Sequence, residues 1–250
     1  MLSYTYLGDY MKVKTIYLII LAVILITFCI VMYSAFSNIT ARTASDNIDQ
    51  QPTIVIDAGH GGEDGGAEVD GVLEKDINLS IAGKLSDILR LCGCQVEEIR
   101  NEDISVYDSD AQTLREKKVS DLKRRVELSN ADDRNILVSI HQNKFDNSAY
   151  SGAQLFYSSN HDNSRVLAED IRSAIVSLLQ KDNTRELKPA GSEIYLLDHA
   201  EVPAVIVECG FLSNAEERSR LMDDAYQNEL AYAIAMGVLE YSYSINIESK

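Results

Sequence analysis

The chain has 250 residues, 46% of them hydrophobic, and a formal net charge of −16, which allows one domain of ordinary size with a proper core plus an N-terminal extension. Lys12, Lys14 and Arg42 balance Asp9, Asp46 and Asp49 in residues 1–50, so the whole excess of acid lies in residues 51–250. Such a domain is excluded from binding nucleic acid, which needs a basic surface to replace counterions, and something other than charge must hold it near any anionic polymer.

From Ile16 to Phe36 no residue is charged. As a helix this run is about 31 Å long, the thickness of a bilayer core. Lys12 and Lys14 precede it, a bias that puts residues 1–15 in the cytoplasm and the rest of the chain outside. The run reads as a transmembrane anchor over 16–36. A cleaved signal peptide is the competing reading, although Ser34-Ala35-Phe36 is not a clean small-x-small site. Both readings make residues 52–250 extracytoplasmic. Residues 37–51 are polar without an apolar period and read as a linker, spanning roughly 20 Å on average if flexible.

Thr53–Ala58 is a β-branched run between a proline and a glycine cluster, which predicts a buried strand and then a loop. Glu74–Leu91 carries Ile77, Ile81, Leu85, Ile88 and Leu89 as a helical stripe, with Gly93 placed as a helix stop. Cys94–Ile99 predicts a second strand, and 121–130 a helix. Asn135–His141 predicts a buried strand, Gly152–Tyr157 another, and Ser164–Leu179 an amphipathic helix. Ala204–Glu208 predicts a further buried strand and Asp224–Tyr241 a closing helix. Strands alternating with helices indicate an α/β fold, a single layered domain with a mostly parallel or mixed central sheet flanked by helices. Chemistry in such folds lies past the carboxyl ends of strands.

His60 lies in the glycine-rich loop Asp57–Ala67, Glu74 opens a predicted helix, and His141 and Glu208 close predicted strands. Two histidines and one carboxylate make a catalytic zinc shell with water in the fourth position. A glutamate that does not bind the metal can take the water's proton and pass it to the leaving nitrogen. Each residue alone has a plainer reading: Glu74 suits the positive end of a helix dipole, and a glycine-rich loop can cradle phosphate. This loop lacks the P-loop ending, and Glu63 and Asp64 within it would repel phosphate. His161 and His199 read as surface residues. The four cysteines read as free thiols, Cys92 and Cys94 being too close for a mutual disulfide. Cys209 as a nucleophile would need a base that the histidine set does not spare.

The strings IDAGHGGEDGGA, LEKDINLSIAGKL, IRNED, LKRRVELSN, SIHQN and PAVIVECGFLSN, in that order, resemble the zinc N-acetylmuramoyl-L-alanine amidases of the Amidase_3 family, from about Thr53 to Tyr243. The anchor, the absence of wall-binding repeats and the string ending at Asn214 are most similar to its sporulation-specific, spore-cortex members. The resemblance implies one Zn²⁺ held by His60, Glu74 and His141, with Glu208 as the catalytic acid–base. It implies hydrolysis of the amide between the lactyl group of N-acetylmuramic acid and L-alanine in peptidoglycan, before muramic-δ-lactam formation in the cortex. Arg125 and Arg100 match positions of the family's motifs, and Asn143, two residues after His141, leans to the same side in an extended strand; all three are expected to touch substrate or support the site, and Asp57 is expected to orient a ligand imidazole. The expected partners are peptidoglycan, the membrane through the N-terminal helix, and an accessory activating protein. A peptidase or deacetylase with the same metal shell, or a non-catalytic wall-binding protein, are the alternatives. The stretch from Lys181 to Gly191 is a candidate substrate or contact loop.

Overall fold

The computed structural model describes residues 26–28, 30–33 and 51–248. The chain divides into two units, 1–51 and 52–250. In the first, residues 26–28 and 30–33 are helical and exposed. The rest of the predicted anchor, Cys29 included, and the linker up to Gln50 lie outside the described residues. Among the described residues no helix is long and apolar enough to cross a membrane.

The second unit contains strands β1 (Thr53–Ala58), β2 (Glu68–Val69), β3 (Val72–Leu73), β4 (Gln95–Glu98), β5 (Ile136–Asn143), β6 (Gln154–Tyr157), β7 (Lys188–Pro189) and β8 (Ala204–Phe211). Its helices are α1 (Glu74–Leu91), α2 (Leu114–Ser129), α3 (Asn163–Leu178), α4 (Tyr195–Asp198), α5 (Ala215–Leu221) and α6 (Asp224–Glu248). Six strands form one sheet in the order β4-β1-β5-β8-β6-β7, and β2 pairs with β3 in a hairpin. β4, β1, β5 and β8 run parallel, whereas β6 is antiparallel to β8 and parallel to β7. The mixed sheet flanked by helices agrees with the sequence reading.

The central strands are apolar on both faces because both faces are covered. Ile54, Ile56, Val138, Ile140, Val205 and Val207 pack with Ile77, Ile81 and Leu85 of α1, Leu167 and Ile171 of α3, and Leu230 and Ile234 of α6. Alternate residues of the same strands, Val55, Leu137, Ala204 and Ile206, turn to the other face and meet Leu196 and Leu197 of α4. This period of two sandwiches the sheet between layers, and β1, β5 and β8 deliver their carboxyl ends to one edge.

Several boundaries differ from expectation. α2 starts at Leu114, earlier than the predicted 121, under a capping box in which Thr113 and Glu116 satisfy each other's backbone N–H groups. β8 continues past Glu208 to Phe211, and α6 runs on to Glu248.

Candidate metal centre

β1 ends at Ala58, and the chain then turns sharply. His60, Gly61 and Gly62 have φ values of 63°, 136° and 56°, a left-handed path costly for a non-glycine residue such as His60. Two glycines make room. A Cβ on Gly59 would lie 2.1 Å from His141 Nε2, and one on Gly66, itself at φ 69°, would lie 2.6 Å from Glu74 Oε2 and 2.7 Å from His60 Cδ2.

Glu74 is the first residue of α1, where the helix dipole favours a carboxylate. Its Oε1 lies 3.2 Å from His60 Nε2 and 2.9 Å from His141 Nδ1. The same oxygen accepts from Gln142 N at 3.1 Å and Asn78 Nδ2 at 3.3 Å, and Oε2 accepts from Ala67 N at 2.8 Å. The imidazole rings of His60 and His141 meet edge to face, centroids 4.9 Å apart. One ligand atom from each of His60, Glu74 and His141 lies within 4.8 Å of the others. His141 and Glu208 are direct register partners across the parallel β5–β8 pair, so the strands place the fourth candidate beside the third.

Electrostatics separate the two glutamates. Burial disfavours the charge of Glu74, but hydrogen bonds and attraction from His141 and His60 outweigh it and hold its pKa well below the usual carboxylate range. Burial pushes Glu208 up to about 7; His141 and His60 oppose the rise and Glu74 adds to it. Glu208 Oε2 is buried with no hydrogen-bond partner among the described residues. Burial also opposes the charge of His60, yet hydrogen bonds to Asp64 and Glu74 raise it to about 9. Two nitrogens and a carboxylate oxygen converging from three elements, with an orphaned carboxylate oxygen alongside, fit a metal ion with nitrogen and oxygen ligands.

One supporting residue, Asp57, departs from expectation. Asp57 was expected to orient an imidazole. Its oxygens instead accept from Arg125 Nη1 and, at 2.6 Å, from Ser139 Oγ, because position 57 faces α2 and the sheet rather than the loop. Burial opposes ionisation of Asp57, but Arg125 and its other neighbours lower its pKa. Asp64, not singled out for this role, lies 2.9 Å from His60 Nδ1 and is bound by Lys118. A metal-bound histidine needs a partner on its other nitrogen, and a carboxylate four residues on in the same loop was the available signal.

Arg125 and Arg100 are both buried. Arg125 joins Asp57 to Asp121 and donates to the carbonyls of Ala58 and His60. Arg100 donates to the carbonyls of Ala58, Gly59, Lys75 and Glu102. Both brace the backbone of the loop that carries His60. Asn143 is half-buried at the end of β5, and the β5–β8 register shifts between His141 and Asn143. Cys209 is buried, and burial raises its thiol pKa far above the ordinary value, which removes it as a nucleophile. His199 is exposed and stacks on Tyr195, while His161 accepts from Asn163 N.

Residues 54–240 match the family Amidase_3, described as N-acetylmuramoyl-L-alanine amidase. The chain is 34% identical over 188 residues to the germination-specific N-acetylmuramoyl-L-alanine amidase of Bacillus subtilis, covering 75% of this chain and 78% of that one. It is 38% identical over 191 residues to the uncharacterized protein YqiI of the same organism, covering 76% and 84%. Among solved structures it is similar to the CwlD amidase of Clostridioides difficile, determined in complex with the GerS lipoprotein. That match has 40% identity and a TM-score of 0.74, and covers 78% of this chain and 100% of that one. With a family match across nearly the whole second unit and relatives of this kind, the chain belongs to the Amidase_3 family of N-acetylmuramoyl-L-alanine amidases and is CwlD-like among them.

Proposed function

We propose that the chain is a zinc-dependent amidase that cuts peptidoglycan between the lactyl group of N-acetylmuramic acid and L-alanine during spore-cortex maturation. The observation that carries the reading is the convergence of His60, Glu74 and His141 beside the buried, unpartnered carboxylate of Glu208. His60, Glu74 and His141 would hold the ion. Zinc bound there supplies Lewis acidity, polarising a carbonyl and acidifying water. Glu208, with a pKa raised to about 7, is suited to general acid–base work near neutral pH. It takes the proton of the attacking water as the bond to the lactyl carbon forms. It then returns that proton to the L-alanine nitrogen as the C–N bond breaks. Asp64 holds the His60 ring from behind, and Arg125 and Arg100 fix the loop on which the ring is mounted.

The cortex setting rests on similarity to a germination-specific amidase and to CwlD. Peptide removal frees the lactyl carboxylate that a muramic-δ-lactam requires. An accessory protein is proposed by analogy with the CwlD–GerS complex. The uncharged run Ile16–Phe36 supports an anchor that holds an acidic domain near an anionic wall polymer, with the catalytic unit outside the cytoplasm, in the space between the spore membranes.

Digestion of purified peptidoglycan tests the reaction. Peptides beginning with L-alanine should be released and free lactyl carboxylates left on the sugar, whereas acetate or internally cut peptides would overturn the amidase assignment. Glu208→Ala should lower turnover by about 10²–10⁴-fold, and wild-type rates in the purified variant would remove Glu208 from the mechanism.

A further inference from the structure

Asn78 lies four residues after Glu74 in α1, on the same face of the helix, and is fully buried. A side-chain amide shut away from water needs partners for its N–H groups and its oxygen. Nδ2 donates to Gly59 O at 3.1 Å and to Glu74 Oε1 at 3.3 Å, and Oδ1 accepts from Gln142 Nε2 at 3.2 Å. Both partners of Nδ2 are oxygens that only accept, which fixes the orientation of the amide.

Each of these partners belongs to a segment that delivers a candidate ligand. Glu74 is itself one, Gly59 directly precedes His60, and Gln142 directly follows His141. A single buried amide therefore joins the loop after β1, the start of α1 and the end of β5. The joints around it are closed. Gly59 N donates to Ile140 O at 3.0 Å, and Gly59 O also accepts from Arg100 Nη2 at 3.0 Å. Gln142 is buried, and its backbone N–H donates to Glu74 Oε1 at 3.1 Å.

The tolerance at these joints is small. A Cβ on Gly59 would fall 2.1 Å from His141 Nε2, so the backbone before His60 already runs close beneath the second imidazole. Both oxygens of Glu74 are anchored, Oε1 by Asn78 and Gln142 N and Oε2 by Ala67 N. Metal binding requires the ligand imidazoles to give up protons. Asn78 has no ionisable proton, so its donors hold Glu74 and Gly59 in place through that exchange.

We propose, on the metal-centre reading above, that Asn78 is the positioning residue that sets the spacing of the three ligands, acting on Glu74 directly and on His60 and His141 through the backbone beside each.

The test is a chelator-competition titration of the full chain with zinc, alongside thermal unfolding of the metal-free protein and the visible spectrum of bound cobalt. Asn78→Ala should weaken zinc by about 10–100-fold, as expected for a residue that orients metal ligands, and shift the cobalt absorption band. Ile81→Ala removes core packing from the same helix. It should lower the unfolding temperature yet keep the zinc affinity and cobalt spectrum of the wild type. Gln142→Met loses the donor to Asn78 Oδ1 but keeps the backbone N–H on Glu74, and should weaken zinc by about 2–10-fold, the equivalent of one neutral hydrogen bond. It decides the matter if Asn78→Ala does not fold. Wild-type affinity in Asn78→Ala, or in Gln142→Met where the first variant is unfolded, would overturn the positioning role. So would an equal loss of affinity in Ile81→Ala, which would make the effect one of general stability. A wild-type chain that takes up no zinc would instead overturn the metal centre itself, and the role of Asn78 with it.

Discussion

Glu74 and Glu208 both lie near the same two imidazoles, yet their surroundings push them apart. Glu74 collects donors from His60, His141, Gln142, Asn78 and Ala67 and stays ionised, whereas Glu208 is buried with an oxygen lacking a partner among the described residues and has its pKa pushed up to about 7. Two carboxylates separated in this way suit the division into ligand and proton carrier. Asp64 makes a further prediction at this scale. Its hydrogen bond to His60 Nδ1 is among the causes that lift the imidazole from 6.5 to about 9 against burial. A raised histidine pKa stabilises the metal-free protein in full below about pH 6.5, and that contribution is lost as pH rises through about 9. A metal must displace the same proton, so zinc affinity should climb between these limits. Asp64→Ala should weaken zinc by about 10–100-fold and flatten this pH dependence. Competition titrations with a chelator from pH 6 to 9 measure both, and an unchanged affinity and slope in Asp64→Ala would dismiss the support role.

The elements that carry the four candidate residues were legible because each is strongly patterned. β1, β5 and β8 are β-branched apolar runs that end in chemistry, and α1 has a clean apolar stripe with the predicted bounds Glu74–Leu91. What escaped was local. The first turns of α2 read LREKKVS and have no apolar period, so only the Thr113–Glu116 capping box marked the start. The β2–β3 hairpin turns on Asp70-Gly71, both at positive φ, an Asp-Gly signal for a two-residue turn that its two-residue strands obscure. For the partner exchange between Asp57 and Asp64 the i,i+4 spacing of His60 and Asp64 was the one signal, and their geometry follows from the left-handed path through His60, Gly61 and Gly62. The buried arginines were visible as motif positions, but their task of holding the carbonyls of Ala58, Gly59 and His60 emerges only once α2 and the segment after β4 are folded against the loop.

At the scale of the whole molecule, an acidic domain has to work on an acidic polymer, and the charge of −16 gives no long-range attraction to it. Tethering at a membrane, as proposed above for Ile16–Phe36, would offset that repulsion. Expressed in full, the chain should sediment with membranes and be exposed to protease added outside the cytoplasmic membrane; a chain found in the cytosolic fraction would contradict the anchored, extracytoplasmic reading. The central claim is that two imidazoles and one carboxylate, distant in sequence, form one metal site with Glu208 beside it but not part of it. Calorimetric titration of the metal-free protein with zinc tests this most directly. One zinc should bind per wild-type chain and per Glu208→Ala chain, while His141→Ala should lose binding by orders of magnitude. Zinc binding that survives His141→Ala, or that disappears in Glu208→Ala, would contradict the account.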